Sequence, residues 1–491
     1  HATIKLFQQL FPEVWKKAGG KGIKIMEMPG ISVIVWLHET KEAYFRDLLE
    51  SLVSQTYDRW ELYVLDQNPA YGFSSMVAEF FPEDDRAHYR QLKNSTGRAY
   101  AYNIGSHYVM ADFGKKGRDL EGNYIFFVGQ HDRLQPDALL QIAGAYNRFM
   151  QKQEKAPELI YMDHDMLVGQ DRMEPHFKPE LNMELLRHCN YIGQHFLVSC
   201  SAAYALGEFR QQLSYACVYE YLLRLVEMGG ASLRIPMLLY HERMREKLLR
   251  KEEKVWQKRF AAEHILAVEA SLRRQGSITP AAGGAWWQIP YDGKGVATQQ
   301  RDYMFLHEPS VRALTRSNLQ KMYGHLCRKD VAVVGVRFLK GGFAMENCGF
   351  LFDAQGDIYP AFYDTKIYQT TYDNLAGIPR EVSMVDFRYC MIDAKVYRKL
   401  GGLDPKLSGR DQMLDFCLRA KKAGYRTIVD PGIIVKSPGK QDESSRVSHE
   451  AMLEKWADLL AEGDPYYNPN LPMGLLNYRL DAIGSEEERL G

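Results

Sequence analysis

The stretch 31-ISVIVWLHETKEAYFRDLLESLVSQTYDRWELYVLDQ-67 decides how the rest of the chain is read. ISVIVWL (31–37) is a short β-branched run without polar alternation, the pattern of a strand buried on both faces of a parallel sheet. Phe45, Leu48, Leu49, Leu52 and Val53 then recur at the i, i+3, i+4 spacing of a helix with one apolar side. WELYVLD (60–66) predicts a second buried strand, ending on an acid and a turn, Asp66-Gln67-Asn68-Pro69. The alternation continues through 71–81, 88–92, 97–110 and 123–128. The expectation is an α/β domain, a parallel sheet with helices on both faces. Ligands of such sheets sit beyond the carboxyl ends of the strands, where residues 36–39, Asp66 and residues 129–132 converge.

Working outward, the 491 residues suggest about three domains at roughly 150 residues each. Apolar residues at 46% and charged residues at 25% are globular values, so a disordered or coiled-coil chain is excluded. Basic and acidic residues balance at 62 each, which argues against a nucleic-acid partner. Seven cysteines without a CxxC suit a reducing compartment and offer no zinc ribbon. No apolar run reaches the roughly 18 residues of a membrane span, and the expected location is cytoplasmic. Residues 1–28 predict a lead-in helix in which Lys5, Lys16, Lys17, Lys21 and Lys24 stand beside Phe7, Leu10, Phe11 and Trp15. Such a helix either packs on the protein or makes peripheral contact with the inner face of the membrane.

The expected domains are a module at 29–245, a charged helix and Gly/Pro-rich linker at 246–299, a shorter module at 300–450, and a C-terminal helix and tail at 451–491. The shorter module repeats part of the longer one. YIFFVGQHDRLQPDALLQIAGAY (124–146) has a counterpart in YMFLHEPSVRALTRSNLQKMYGH (303–325), and SAAYALGEFRQQL (201–213) in DAKVYRKLGGLDPKL (393–407). YEYLLRLVEMGGASLRIPMLL (219–239) matches LDFCLRAKKAGYRTIVDPGII (414–434), while nothing corresponds to residues 31–110. A full module is followed by a truncated one.

The opening stretch, with NSTGRAYAYNIGS (94–106), DRLQPDAL (132–139), FKPELNMELLRHCNYIG (177–193) and MLLYHER (237–243), resembles the family 2 glycosyltransferases of GT-A fold. The two-module arrangement is similar to that of some bacterial surface-polysaccharide glycosyltransferases. The resemblance implies a Rossmann-like mixed sheet with helices on both faces, followed by a truncated GT-A-like module. It also implies an inverting transfer from a nucleotide-sugar to a glycan, lipid-linked or protein acceptor, with Mg²⁺ or Mn²⁺ on the diphosphate.

On that resemblance Glu39, Asp66, Arg98, Asn103 and Asp132 are expected to bind the nucleotide-sugar. Asp66 is equally a turn cap, and Asp132 equally the cap of the helix that follows. The family's Asp-x-Asp-Asp is here Gly129-Gln130-His131-Asp132, so the metal ligands reduce to Asp132, His131 and His241. The family's general base falls on Val218, which cannot take a proton. Glu220, Asp163 and Asp165 are therefore the candidate catalytic carboxylates, with Glu220 four residues before Arg224 and equally an ordinary helical ion pair. Arg98 and Arg133 are available to stabilise a leaving diphosphate. In the shorter module the turn reads His307-Glu308-Pro309-Ser310, and Met413 takes the base position between Asp411 and Asp415. These losses leave a second expectation, an inactive homologue that scaffolds or regulates a partner glycosyltransferase.

Overall fold

A computed structural model describes residues 28–68, 72–82, 84–93, 97–244, 250–274, 301–369, 372–438, 444–471 and 478. The expected lead-in helix, the linker at 275–299 and the end of the tail lie outside the described residues. The chain divides into two compact units, His1–Lys178 with Ile192–Ala267, and Pro179–Tyr191 with Val268–Gly491.

The first unit opens with β1 (Gly30–Leu37), α1 (Glu42–Val53), β2 (Trp60–Asp66), α2 (Ser74–Phe80), β3 (Ala87–Gln91), α3 (Arg98–Lys116) and β4 (Asn123–Val128). β5 (Arg133–Leu134), α4 (Ala138–Lys152), β6 (Leu159–Val168) and β7 (Asp171–His176) follow. After α5 (Met183–His188), which belongs to the second unit, come β8 (Phe196–Ser199), α6 (Cys200–Leu206), α7 (Cys217–Glu227), β9 (Ser232–Arg243) and α8 (Arg250–Arg274). The sheet order is β3-β2-β1-β4-β8-β6-β9-β5, with β7 on β6. The strands from β3 to β4 are parallel, as the alternation predicts. β8 runs antiparallel to both neighbours, and β5 is antiparallel to β9. The sheet is thus mixed rather than purely parallel, because a strand buried on both faces reads as the same apolar run in either direction.

Phe45, Leu48, Leu49 and Leu52 of α1 are fully buried with Val33, Val35 and Leu37 of β1, each worth about 1.5–3 kcal/mol against exposure. Val53, expected on the same stripe, is half exposed. On the other face α3 comes close to β1 and β2 because position 105 is glycine. A Cβ there would lie 2.9 Å from the side chains of Ile34 and Leu65. Gly105 therefore serves helix–sheet packing.

The second unit contains β10 (Tyr303–His307), β11 (Arg312–Ala313), α9 (Asn318–Leu326), β12 (Val331–Leu339), β13 (Met345–Asn347), β14 (Phe350–Phe352) and β15 (Ile358–Pro360). It continues with β16 (Arg380–Glu381), β17 (Tyr389–Asp393), α10 (Ala394–Lys399), α11 (Gly409–Lys422), β18 (Arg426–Lys436) and α12 (Arg446–Leu460). Its sheet order is β10-β17-β12-β18-β11. That is the order β4-β8-β6-β9-β5 again, with the same parallel and antiparallel pairs. No strands stand for β1, β2 and β3 among the described residues, in keeping with the truncated repeat. α5 is fixed inside this unit: the Asn182 side chain bonds the backbone of Glu381 through both its oxygen and its nitrogen. Glu184 is buried against Arg328, Arg426, His188 and His325.

Candidate active site

At the carboxyl edge of β2-β1-β4, three loops are laced together by side chains. Gln130 Oε1 accepts from the His38 N–H at 2.9 Å and the Thr40 hydroxyl at 2.6 Å, and its Nε2 donates to the His38 carbonyl. Thr40 and Asn68 bond each other reciprocally, which ties the loop after β1 to the loop after β2. Trp36 donates to Gln67 at 2.7 Å and stacks on His38, with the Arg98 guanidinium 5.8 Å from its ring. Gln130 falls on the unspecified position of the family's Asp-x-Asp-Asp, yet here it is the knot that holds the edge. Only its contacts at a sequence distance of about 90 residues show this.

Asp66 is fully buried at the end of β2. Its Oδ1 accepts from the Asn68 N–H and side chain, and its Oδ2 accepts from the Tyr89 hydroxyl at 2.5 Å and the Phe73 N–H at 3.0 Å. Arg98 donates to Gln194 at 3.0 Å, Arg133 donates to Gln170, and Glu39 is exposed in a left-handed conformation at φ 48°. Asn103 faces inward and exchanges two hydrogen bonds with the Phe209 backbone.

The turn after β4 is organised by Asp132. Its Oδ2 accepts from Tyr240 at 2.6 Å, the Tyr240 oxygen accepts from the Gly129 N–H, and its Oδ1 accepts from the Arg243 N–H at 2.9 Å. Burial, reinforced by the neighbouring negative Glu242, pushes the Asp132 carboxyl up to about 7. A Cβ at Gly129 would lie 2.0 Å from Asp132 Oδ2, so the carboxylate occupies the space that a family acid at 129 would need. Arg243 extends the clamp to the His131 carbonyl, the Gly169 carbonyl and Asp47.

His131 accepts from the Lys41 N–H, whereas His241 meets Asp165 at 2.6 Å through Nδ1 and Gln135 through Nε2. Among the described residues, no group of three donors within 4.8 Å of one another includes Asp132, His131 or His241. One carboxylate with both oxygens engaged does not suit Mg²⁺ or Mn²⁺, which need several oxygens or imidazoles converging. The family's metal does not fit this turn.

Of the candidate catalytic carboxylates, Asp163 accepts from the Lys178 N–H at 2.8 Å and is fully buried. Asp165 is half of a carboxylate–imidazole pair with His241 and also holds Arg172. Burial alone would raise it, but these two partners hold it below the ordinary carboxylate range. Glu220 is fully buried on α7, and Arg224 grips it while donating to the carbonyls of Leu206 and Glu208. In the second unit Arg419 grips Asp415 and donates to the carbonyls of Leu400 and Gly402 in the same way.

Residues 32–203 match the model of glycosyl transferase family 2. A stretch of 223 residues, 45% of the chain, is 31% identical to the O-antigen biosynthesis protein RfbC of Myxococcus xanthus and covers 16% of that protein. A second relative, the uncharacterized protein y4gI of Sinorhizobium fredii, is 27% identical over 210 residues, 42% of the chain and 21% of its own length. The chain thus spans less than a quarter of the length of these curated relatives. Among solved structures, S. aureus TarS 1–349 in complex with UDP aligns at TM-score 0.36 with 15% identity, covering 50% of the chain and 71% of TarS 1–349.

Proposed function

Since residues 32–203 belong to glycosyl transferase family 2, we propose that the module at 29–245 transfers a sugar from a nucleotide-sugar to a glycan, lipid-linked or protein acceptor in surface-polysaccharide synthesis. The observation that carries the reading is the laced strand edge. Gln130, Thr40 and Asn68 hold three loops in one arrangement, and Trp36, Asp66 and Arg98 are presented from them or beside them. Preorganised groups of this kind lower a barrier without reorganising during the reaction. Arg98 is the nearby cation for a departing diphosphate, in place of the metal that the turn does not fit. Single displacement by an acceptor oxygen inverts the sugar carbon, and the acceptor's proton passes to the Asp165–His241 pair. His241 of that pair borders a cavity of about 380 Å³ lined also by Arg133, Gln135, Gln170 and Arg172. Nucleotide-sugars are cytoplasmic donors under this reading. No helix among the described residues is long and apolar enough to cross a membrane.

The Asp132–Tyr240–Arg243 knot favours a second reading, in which transfer is lost and the protein scaffolds an active transferase. The separating experiment is a thermal-shift titration with UDP, GDP, dTDP and their sugars, with and without Mn²⁺, followed by an assay for released nucleoside diphosphate. A ligand with a dissociation constant near 10 μM stabilises by roughly 2.7 kcal/mol at 1 mM. A rise in melting temperature without Mn²⁺, lost in Asp66→Asn, with diphosphate release, supports transfer. Binding without release favours the scaffold, and no shift with any nucleotide overturns the donor reading.

A further inference from the structure

We propose that His164, His195 and Glu242 form a site for a divalent transition-metal ion, separate from the turn that carries Asp132. His164 lies on β6, His195 immediately before β8 and Glu242 near the end of β9, so neighbouring strands bring them together. Their donor atoms all lie within 4.8 Å of one another. Two imidazoles and one carboxylate suit Zn²⁺, Co²⁺, Fe²⁺ or Mn²⁺ and suit Mg²⁺ poorly.

The state of each donor fits a cation. His164 is buried, and its Nδ1 has no hydrogen-bond partner. His195 Nε2 stands 3.1 Å from Glu242, while its Nδ1 lies 3.3 Å from the Ile192 carbonyl. An imidazole that donates Nδ1–H to a backbone carbonyl turns the lone pair of Nε2 outward, the usual support of a ligating histidine. In that tautomer the Nε2 lone pair faces the Glu242 carboxylate and a cation between them satisfies both, whereas in the other tautomer Nε2–H donates to Glu242 and Lys178 donates to Nδ1. Burial, with the nearby Lys178, disfavours the charged form of His195, and burial with His195 and Lys178 does the same for His164. Ligation needs the uncharged ring that burial favours here. The Lys178 ammonium sits 3.5 Å from His195 Nδ1, on the ring edge away from Glu242.

Two comparisons within the chain sharpen the assignment. Among the described residues the other grouping of donors, Glu61, His88 and Asp112, is already neutralised by Lys116 and Arg118. In the second unit, equivalence follows from strand register. His164 opposes Tyr240 as Phe338 opposes Val435, so Phe338 stands in the place of His164. By the same counting Tyr389 replaces His195 and Ser437 follows Lys436 as Glu242 follows His241. The unit that lacks β1 to β3 has kept the strands and lost all three donors.

The test is titration of the chelator-stripped full chain with Co²⁺, read by its visible absorption, and with Zn²⁺ by calorimetry. One ion per chain at micromolar or tighter affinity is expected. His164→Phe, His195→Tyr and Glu242→Ser, the residues that the second unit carries, each weaken binding at least about tenfold. Glu61→Gln leaves it unchanged. The rings of His164 and His195 stack at 3.9 Å with 19° between planes, so Zn²⁺ must fan them apart and shift their ring-proton resonances. Absence of binding, or binding that survives all three substitutions, overturns the site. Glu242→Gln, at a partly exposed position, keeps the test valid if a histidine variant fails to fold. No nucleotide enters the titration, so its failure is distinct from failure of the donor reading.

Discussion

In the first unit the turn after β4 places Asp132 against Tyr240; in the second, the corresponding turn after β10 places a valine near a valine. Arg133 pairs with His241 as Arg312 pairs with Lys436, which makes Val311 the counterpart of Asp132 and Val435 the counterpart of Tyr240. Both valines belong to the apolar core. Ser310, expected from the sequence at that place, lies one residue earlier. The same strand order therefore tolerates either a polar knot or plain hydrocarbon at one position, so topology alone carries no chemistry. What the units do share in polar detail is the arginine anchor on α7 and on α11, which marks Glu220 and Asp415 as parts of the scaffold.

The largest expected effect sharpens the contrast from the second unit's side. Burial opposes ionisation of Glu184, yet Arg328 and the neighbouring histidines hold it well below the ordinary carboxylate range. Glu184→Ala leaves those cations uncompensated and is expected to cost about 3–5 kcal/mol, read as a lowered urea midpoint. Next, Glu220→Gln and Asp415→Asn should each cost about 1.5–3 kcal/mol, and by similar amounts. Equal losses confirm a shared anchor, whereas a Glu220 variant that keeps its stability but loses sugar transfer breaks the comparison and makes Glu220 the base.

Restoring a family acid with Gly129→Asp drives a side chain into Asp132 and should cost about 1–3 kcal/mol in thermal or urea unfolding. A neutral outcome would mean that the knot yields freely. The smallest effect concerns pH. The Asp132 carboxyl titrates near 7 when folded, against 3.8 ordinarily, so folding favours its protonated form. Its stabilising contribution is complete below about pH 4 and is lost as pH rises through about 7. Asp132→Asn fixes a neutral group, and the decline in melting temperature from pH 5 to 8 should shrink. An unchanged slope would place the titration elsewhere.

Much of this was readable from local pattern. ISVIVWL and WELYVLD are the strands expected, and the repeats 124–146 with 303–325 and 219–239 with 414–434 anticipate the duplicated half-sheet. The direction of β8 was not readable, since its apolar run is the same either way. Nor was the pairing of His241 with Asp165, separated by 76 residues, because a histidine's neighbours in sequence say nothing of which strand lies beside it. Gln130 reads as an unconstrained position of the motif until its contacts to residues 38 and 40 are seen. The gathering of His164, His195 and Glu242 likewise depends on strand register, which spacing along the chain does not encode.

The strap Pro179–Tyr191 carries a consequence for synthesis. It leaves the ribosome between two parts of the first unit, yet its counter-charges, Arg328 and Arg426, are made more than a hundred residues later. Until then Glu184 lacks the cations that neutralise it, and residues 179–191 remain an open loop of the nascent chain. A polypeptide halted before residue 301 would keep that loop open for good, offering a natural cut site for proteases and a handle for chaperones.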